Sequence, residues 1–518
     1  MKRLSNLSTL INLVNRLNLQ TCLLIGALIL ICCFSHQVVN AAPISNNLYA
    51  EAESFIANTP VESSQSVYNI INSYALLQNK WLGEKNALAN KRIVSTNPIF
   101  AQGAISNLDL ESNSPLLLHS NIKFRRLHYQ TPNIDGIQHV SGLLLIPPTN
   151  KPKGIILFFH STISGKLNVP SLHFDDYKAQ ILAAVFASNG YIVVCPDYIG
   201  LGDNLAAVHP YVLYPQVNVE DGKNILNAAI KYLHKTAPGT IIPSNLFVSG
   251  YSEGGGYALW FSRIYQENIK FAHQINSLNL KLIKTVPIEG AYDLTNVMFP
   301  FLLANQVNDT ANKFNINTAL WGTMLKPSLV AHIMLSYAHY NRQDIKRLLN
   351  VDFFSLNCTL LPDKICGQDE FKQYNLDNFT LTSSKNLTMA LKYFLAANFK
   401  ATNGLVYSPF FNGVEPLLAV GAKSNVGLLH AAALANILDW KSTNPITLIS
   451  LTHDSLVPEQ NSTDAQRGML KAGSLKLKYI KVDNNLLKSH TLIGNSVIDH
   501  VNFELYALLI ALNEFNHI

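Results

Sequence analysis

The run Leu246-Phe247-Val248-Ser249-Gly250-Tyr251-Ser252-Glu253-Gly254-Gly255-Gly256 carries the clearest chemistry in the chain. An apolar strand enters it, and the helical pattern of Tyr257, Ala258, Trp260, Phe261 and Ile264 leaves it. A strand, tight turn and helix in that order hold the central serine in a strained conformation at the edge of a sheet, where its hydroxyl can meet a base and a carbonyl carbon. Gly250 and Gly254 keep Cβ atoms out of the tight crossing. Ser252 is therefore the expected nucleophile. The backbone N–H of Glu253, at the start of the helix, is placed to hold a developing oxyanion.

Serine is a weak nucleophile until a neighbouring base takes its proton, so the reading requires a histidine oriented by a carboxylate. On a sheet of this kind both belong in loops at the same edge, in the chain order serine, acid, histidine. The apolar run Ile446–Leu451 is followed by Thr452-His453-Asp454-Ser455-Leu456-Val457-Pro458, which places Asp454 just beyond a strand end. His490, in Lys488-Ser489-His490-Thr491, follows the last strand and is the expected base, with His500 at the start of the final helix as its competitor. A second oxyanion donor should come from the backbone after Phe158-Phe159, at Ser161 or its neighbour Thr162. This chemistry calls for no cofactor and no metal.

These residues need a scaffold. Strand-like runs at Ile122–Tyr129, His139–Ile146 and Gly154–Phe159 open it, broken by Asn133, Asp135 and Gly136 and by Pro147-Pro148. Helices near Asp176–Asn189 and Val219–Leu233 then alternate with strands at Tyr191–Cys195, Leu246–Ser249 and Lys284–Glu289, which predicts an α/β fold with a mostly parallel sheet covered on both faces. Leu226, Ala229, Ile230 and Leu233 recur at helical spacing and should face that sheet. Roughly 150 residues separate Glu289 from the next clear strand, too many for a structureless loop, so a folded insertion of mostly helical pattern is expected, including Ser328–Tyr340 and Leu387–Ala397. A strand at Leu475–Val482 and a helix over Val501–Asn513 close the chain. The expected divisions are a leader over 1–41, an extension over 42–120, a first core portion over 121–293, the insertion over 294–440 and a second core portion over 441–518.

With 48% hydrophobic and 14% charged residues in 518, the chain has the balance of a folded globule. A basic, polar start covers Lys2–Gln20, an apolar run covers Cys22–Phe34, and Val39-Asn40-Ala41 follows as a cleavage-site pattern. That is the pattern of a signal peptide cut near Ala41, with an uncleaved membrane anchor as the alternative. Its removal takes three of the six positive charges of the net balance, and the remainder shows no basic cluster suited to nucleic acid. It also takes Cys22, Cys32 and Cys33. Of the cysteines left, Cys358 and Cys366 lie close together and are the candidates for a disulfide in an exported protein, and Cys195 sits in an apolar strand as a buried thiol.

The Gly-Tyr-Ser-x-Gly-Gly turn at 250–255, with Pro196-Asp197-Tyr198-Ile199-Gly200-Leu201-Gly202, His209-Pro210-Tyr211 and Asp454-x-x-Val457-Pro458, resembles the secretory lipase family of α/β-hydrolases over about Ile122–Gly290 and Pro445 to the end. The resemblance implies the α/β-hydrolase fold with a helical cap before the acid strand. It also implies a secreted carboxylic ester hydrolase that works through an acyl-enzyme on a small-molecule ester or lipid, with transient contact at a lipid interface. An acyltransferase with the same three residues, or an inactive binding protein of the same fold, is the alternative. Glu253 departs from the family, where glutamine is common, and leaves the backbone donor unaffected.

Overall fold

The computed structural model describes residues 122–163, 166–174, 177–237, 239–304, 320–349, 418–483 and 500–517. The expected leader and extension, the helix at Leu387–Ala397, and Cys358 and Cys366 all lie outside these residues.

Eight strands form one sheet: β1 (Lys123–Asn133), β2 (Gly136–Ile146), β3 (Gly154–Phe159), β4 (Tyr191–Pro196), β5 (Asn245–Tyr251), β6 (Lys281–Ile288), β7 (Ile446–Leu451) and β8 (Leu477–Val482), in the spatial order β1-β2-β4-β3-β5-β6-β7-β8. β1, β2 and β4 pair antiparallel, and every pairing from β4 to β8 is parallel. The first two strands run longer than the apolar pattern suggests. A two-residue turn, Ile134-Asp135, lets Asn133 face Gly136 directly and carries the ladder through polar positions that propensity alone would leave as loop. β3, β4 and β7 are buried at every residue, which is why they read in sequence as continuous apolar runs.

The helices cover both faces. On one lie α2 (Pro215–Thr236), α3 (Glu253–Glu267) and α4 (Ile269–Ser277), and on the other α1 (Tyr177–Val185) and α9 (His500–Asn516). Pro215 occupies the start of α2, where its missing N–H removes no helical bond and its fixed φ suits the first turn. Leu226, Ala229, Ile230 and Leu233 are buried against the sheet as their spacing predicts. Between β6 and β7 the described elements include α5 (Phe299–Leu302), α6 (Leu320–Tyr340) and α7 (Val426–Ala435), and α8 (Gln460–Lys471) precedes β8. Residues of α5, α6 and α7 share a separate apolar cluster with Tyr211, Leu213, Leu456 and Val457. These are residues at the strands' C-terminal edge, so the cluster sits over that edge. Cys195 is buried with a free thiol. Among the described residues, no helix is long and apolar enough to cross a membrane.

Leu157 stands mid-sheet, wholly buried, between Val194 of β4 and Val248 of β5. Leu157→Ala is expected to cost about 2–5 kcal/mol through lost burial and an unfilled cavity, read as a lowered urea midpoint at unchanged m-value.

Candidate active site

β5 ends at Tyr251 and α3 starts at Glu253, so the whole change of direction falls on Ser252. Its φ of 58° and ψ of −119° lie where a side chain is strained, and the neighbours hold it there. The Ser252 N–H donates to the Ile288 carbonyl of β6 (2.9 Å), and the Ser252 carbonyl accepts from Gly255 N–H (2.9 Å). A Cβ at Gly250 would come within 2.2 Å of the Gly254 carbonyl oxygen, and one at Gly254 within 1.9 Å of the Phe159 carbonyl oxygen. The glycines thus serve the crossing that their spacing predicts, and α3 starts directly behind the hydroxyl.

Asp454 lies just past β7 and is wholly buried. Its Oδ1 accepts the N–H groups of Leu456 and Val457, both at 2.7 Å, so the turn it starts also fixes its carboxylate. Its Oδ2 accepts from Nδ1 of His500 at 2.6 Å, and Nε2 of the same ring lies 2.8 Å from Ser252 Oγ. With Nδ1–H given to the carboxylate, Nε2 is left as the acceptor for the serine hydroxyl. The base expected at position 490 is therefore corrected: His490 lies outside the described residues, and the imidazole that joins Ser252 to Asp454 belongs to His500.

The signal for His500 was present in the pattern. A helix that follows the last parallel strand runs back along the sheet, so its first residue is delivered to the edge where the strands end. His500 is that residue of α9. The Tyr251 hydroxyl, one position before the serine, donates to the His500 carbonyl at 2.5 Å and ties the helix start to the turn.

The side chain of Glu253 is buried in the protein. Its Oε1 receives His209 Nε2 at 2.6 Å and the Tyr257 hydroxyl at 2.7 Å, and His209 Nδ1 lies 3.0 Å from the Ile199 carbonyl. Both imidazole nitrogens thus face acceptors. Burial works to raise the Glu253 pKa. The charge and hydrogen bond of His209, with the Tyr257 hydroxyl, outweigh it and hold the carboxyl below its ordinary value. Tyr198 stacks over His209, its ring centroid 5.4 Å away, and its hydroxyl donates to the His160 carbonyl. The loop from Asp197 to Tyr211, which sequence shows only as a run of landmarks, therefore braces the turn from beneath.

Opposite the turn, the chain leaving β3 passes His160, Ser161 and Thr162. Ser161 Oγ accepts from Lys178 Nζ, and Thr162 Oγ1 is 3.1 Å from the Tyr211 hydroxyl. A mainly apolar cleft opens over Ser252, and it is Thr162, with Glu253, that lines it, Ser161 being outside the lining. Tyr211, Leu294, Met298, Leu329 and Ile333 form much of its wall. Of the residues expected to supply oxyanion donors, Glu253 and Thr162 line the cleft beside Ser252, and Ser161 does not.

One residue near the centre had no signal in the sequence. Glu289, the first residue after β6, is buried, and among the described residues it forms with Asp454 and His500 the one group of candidate metal-ligating side chains, their atoms within 4.8 Å of one another. The set does not suit a metal ion: Asp454 already accepts three hydrogen bonds, and His500 has its Nδ1 proton on Asp454 and its Nε2 on the serine.

No family model and no curated protein matches the sequence. Solved structures do match it. The rice cell wall degrading esterase LipA from Xanthomonas oryzae superposes with a TM-score of 0.56 at 20% identity, covering 79% of this chain and 94% of the esterase. A Legionella pneumophila protein described as a hydrolase gives 0.53 at 18%, covering 80% and 93%. Candida antarctica lipase A gives 0.45 at 14%, covering 76% and 86%. At these identities the likeness to LipA shows the fold alone: this chain has the α/β-hydrolase fold, shared with that esterase.

His209→Ala leaves the Glu253 carboxylate buried with only a hydroxyl beside it, and a loss of about 3–5 kcal/mol is expected in urea unfolding, less than additive with Glu253→Leu. Because the Glu253 pKa is lowered on folding, its contribution is complete above the ordinary carboxylate range and fades as the pH falls through the lowered value. The stability gap between wild type and Glu253→Gln should accordingly narrow toward acid pH.

Proposed function

We propose that the chain is a serine hydrolase of carboxylic esters, acting through an acyl-enzyme on Ser252. The observation that carries this reading is the unbroken line of hydrogen bonds from Asp454 through His500 to the Ser252 hydroxyl, at 2.6 and 2.8 Å. In the proposed reaction His500 Nε2 takes the hydroxyl proton as Oγ attacks the ester carbonyl, and Asp454 holds the imidazolium that forms. The oxyanion is met by the N–H of Glu253 and by a backbone donor in the 161–162 segment, each donor lowering the barrier by about 3 kcal/mol. His500 then returns the proton to the leaving alcohol. Water, activated by the same ring, releases the acid and restores the serine.

An apolar wall next to the hydroxyl supports an ester or lipid substrate with a hydrocarbon portion. Membership of the secretory lipase family, export after loss of residues 1–41, a cap over 294–440 and a disulfide between Cys358 and Cys366 belong to the same proposal and rest on the sequence. Transfer of the acyl group to an alcohol in place of water is an outcome that product analysis with added alcohol distinguishes.

Ser252→Ala and His500→Ala are each expected to lower kcat on p-nitrophenyl butyrate by about 10⁴-fold or more, with folding retained. Ser252→Ala should also abolish labelling by a fluorophosphonate. His490→Ala is expected to leave kcat within about twofold, since the place of the base between Ser252 and Asp454 is filled by His500. Wild-type turnover by Ser252→Ala would remove this serine from the mechanism, and loss of turnover in His490→Ala but not in His500→Ala would transfer the base to position 490.

A further inference from the structure

Glu289 is the one acid at the site to which the reaction above gives no task. Its φ of 48° turns it sharply out of β6, and its N–H donates to the Ile449 carbonyl of β7 at 3.0 Å. Its Oε1 accepts the Leu451 N–H. Its Oε2 is enclosed and has no donor within reach, which is costly for an ionised carboxylate and is not so for a carboxylic acid, whose O–H needs an acceptor. The acceptor at hand is Asp454. Asp454 already accepts from two backbone N–H groups and the His500 ring, and donors of this kind favour an ionised carboxylate. Two ionised carboxylates in contact in a buried site repel strongly, so where one must be charged the other keeps its proton.

We propose that Glu289 is a positioning residue: as a neutral carboxylic acid it donates a hydrogen bond to Asp454 and so holds that carboxylate in the orientation that receives His500. Burial first, and then the negative charge of Asp454, push the Glu289 carboxyl well above the ordinary carboxylate range, in agreement with that placement of the proton. The other titratable groups around it act in the same sense or are neutral. Glu459 beyond β7 adds negative charge, partly offset by its pair with Lys481 at 2.7 Å, and Tyr292 after β6 and Tyr479 on β8 are uncharged. His500 is the one cationic partner the reaction itself creates. As that imidazolium forms, the Glu289 hydrogen bond steadies the Asp454 charge without adding a second anion. If Glu289 loses its proton, two buried anions stand side by side, Asp454 is driven from His500, and the base is misaligned.

The inference rests on the reading of Ser252 as nucleophile, and its test has two readouts. In the first, kcat on p-nitrophenyl butyrate is followed against pH for wild type, Glu289→Ala and Glu289→Gln. Glu289→Ala is expected to lower kcat by about tenfold or more at neutral pH, the effect of losing a hydrogen bond to a charged group, with KM little changed. Glu289→Gln should restore most of the loss, because its amide N–H can donate to Asp454 while its oxygen accepts from Leu451, and it should lack the alkaline decline of the wild type. The second readout is urea unfolding against pH for wild type and Glu289→Gln. A carboxyl whose pKa is raised on folding contributes stability that is complete below its unfolded pKa and is lost as the pH rises through its folded pKa. Wild type should therefore lose stability relative to Glu289→Gln as the pH rises above the ordinary carboxylate range.

Parallel stability curves would show that Glu289 carries no proton of this kind and would overturn the proposal. So would a glutamine variant that is folded yet no more active than the alanine variant, or an alanine variant with wild-type kcat. A wild-type protein that turns over no ester refutes the function proposed above, and the unfolding curves then still decide whether Glu289 is neutral. If Glu289→Ala fails to fold, the wild-type and glutamine curves and pH profiles decide the matter between them.

Discussion

The hydrogen bond between His500 Nδ1 and Asp454 Oδ2, 2.6 Å long and closed off from water, is the contact on which the rest of the site depends. It fixes which ring nitrogen holds the proton, and so leaves Nε2 free to accept from Ser252. In water such a bond between two side chains would be worth little, because each partner has water as an alternative. Inside the protein the alternative is an unpaired charge, so the same contact becomes directive. The cost of burying Asp454 is offset locally: the Leu456 and Val457 N–H groups meet its other oxygen through a turn that the aspartate itself starts. The acid is therefore set by backbone, the ring is set by the acid, and the hydroxyl is set by the ring.

Three neighbouring parallel strands reach this point by the same local device. Ser252 follows β5 with φ 58°, Glu289 follows β6 with φ 48°, and His453 follows the end of β7 with φ 55°. None is glycine, and each such conformation costs about 1–3 kcal/mol. A strand that continued straight would carry its next side chain past the sheet edge. A residue in the left-handed region turns the chain at once and brings Ser252, Glu289 and Asp454 toward one volume. The surrounding strands, buried on both faces, supply the packing that holds these turns.

Much of this was legible in the residues. The strand entering Ser252, the glycines that allow close backbone approach and the aspartate after an apolar run all follow from local chain geometry, and the alternation of strands and helices gave the mostly parallel sheet. The base was harder to place, since spacing after the last strand favoured His490 in a polar loop over His500 at the helix start. Only the direction in which a closing helix must run along a parallel sheet favours His500. Glu289 had no local mark at all. Its meaning comes from Asp454, far away in sequence, and contacts across adjacent strands are invisible to periodicity. The His209 pair with Glu253 was partly visible, because His209-Pro210-Tyr211 stood out as a run, but its partner could be found only in three dimensions.

Glu253 and Glu289 show how far neighbours decide the state of a side chain. Both are glutamates buried within a few residues of strand ends at the same edge, and burial alone would push both toward the neutral form. Glu253 meets a histidine and a tyrosine hydroxyl, donors that favour the charged form, and its pKa is lowered. Glu289 meets a carboxylate already engaged with three donors, and its pKa is raised. The first arrangement anchors, through its side chain, the residue whose backbone N–H is proposed for the oxyanion. The second places a proton donor behind the acid without adding net charge near the ring. Exchanging these two environments would put an unpaired anion beside Asp454 and leave His209 facing a neutral acid, so the position of each glutamate is meaningful only together with the charge its neighbours impose.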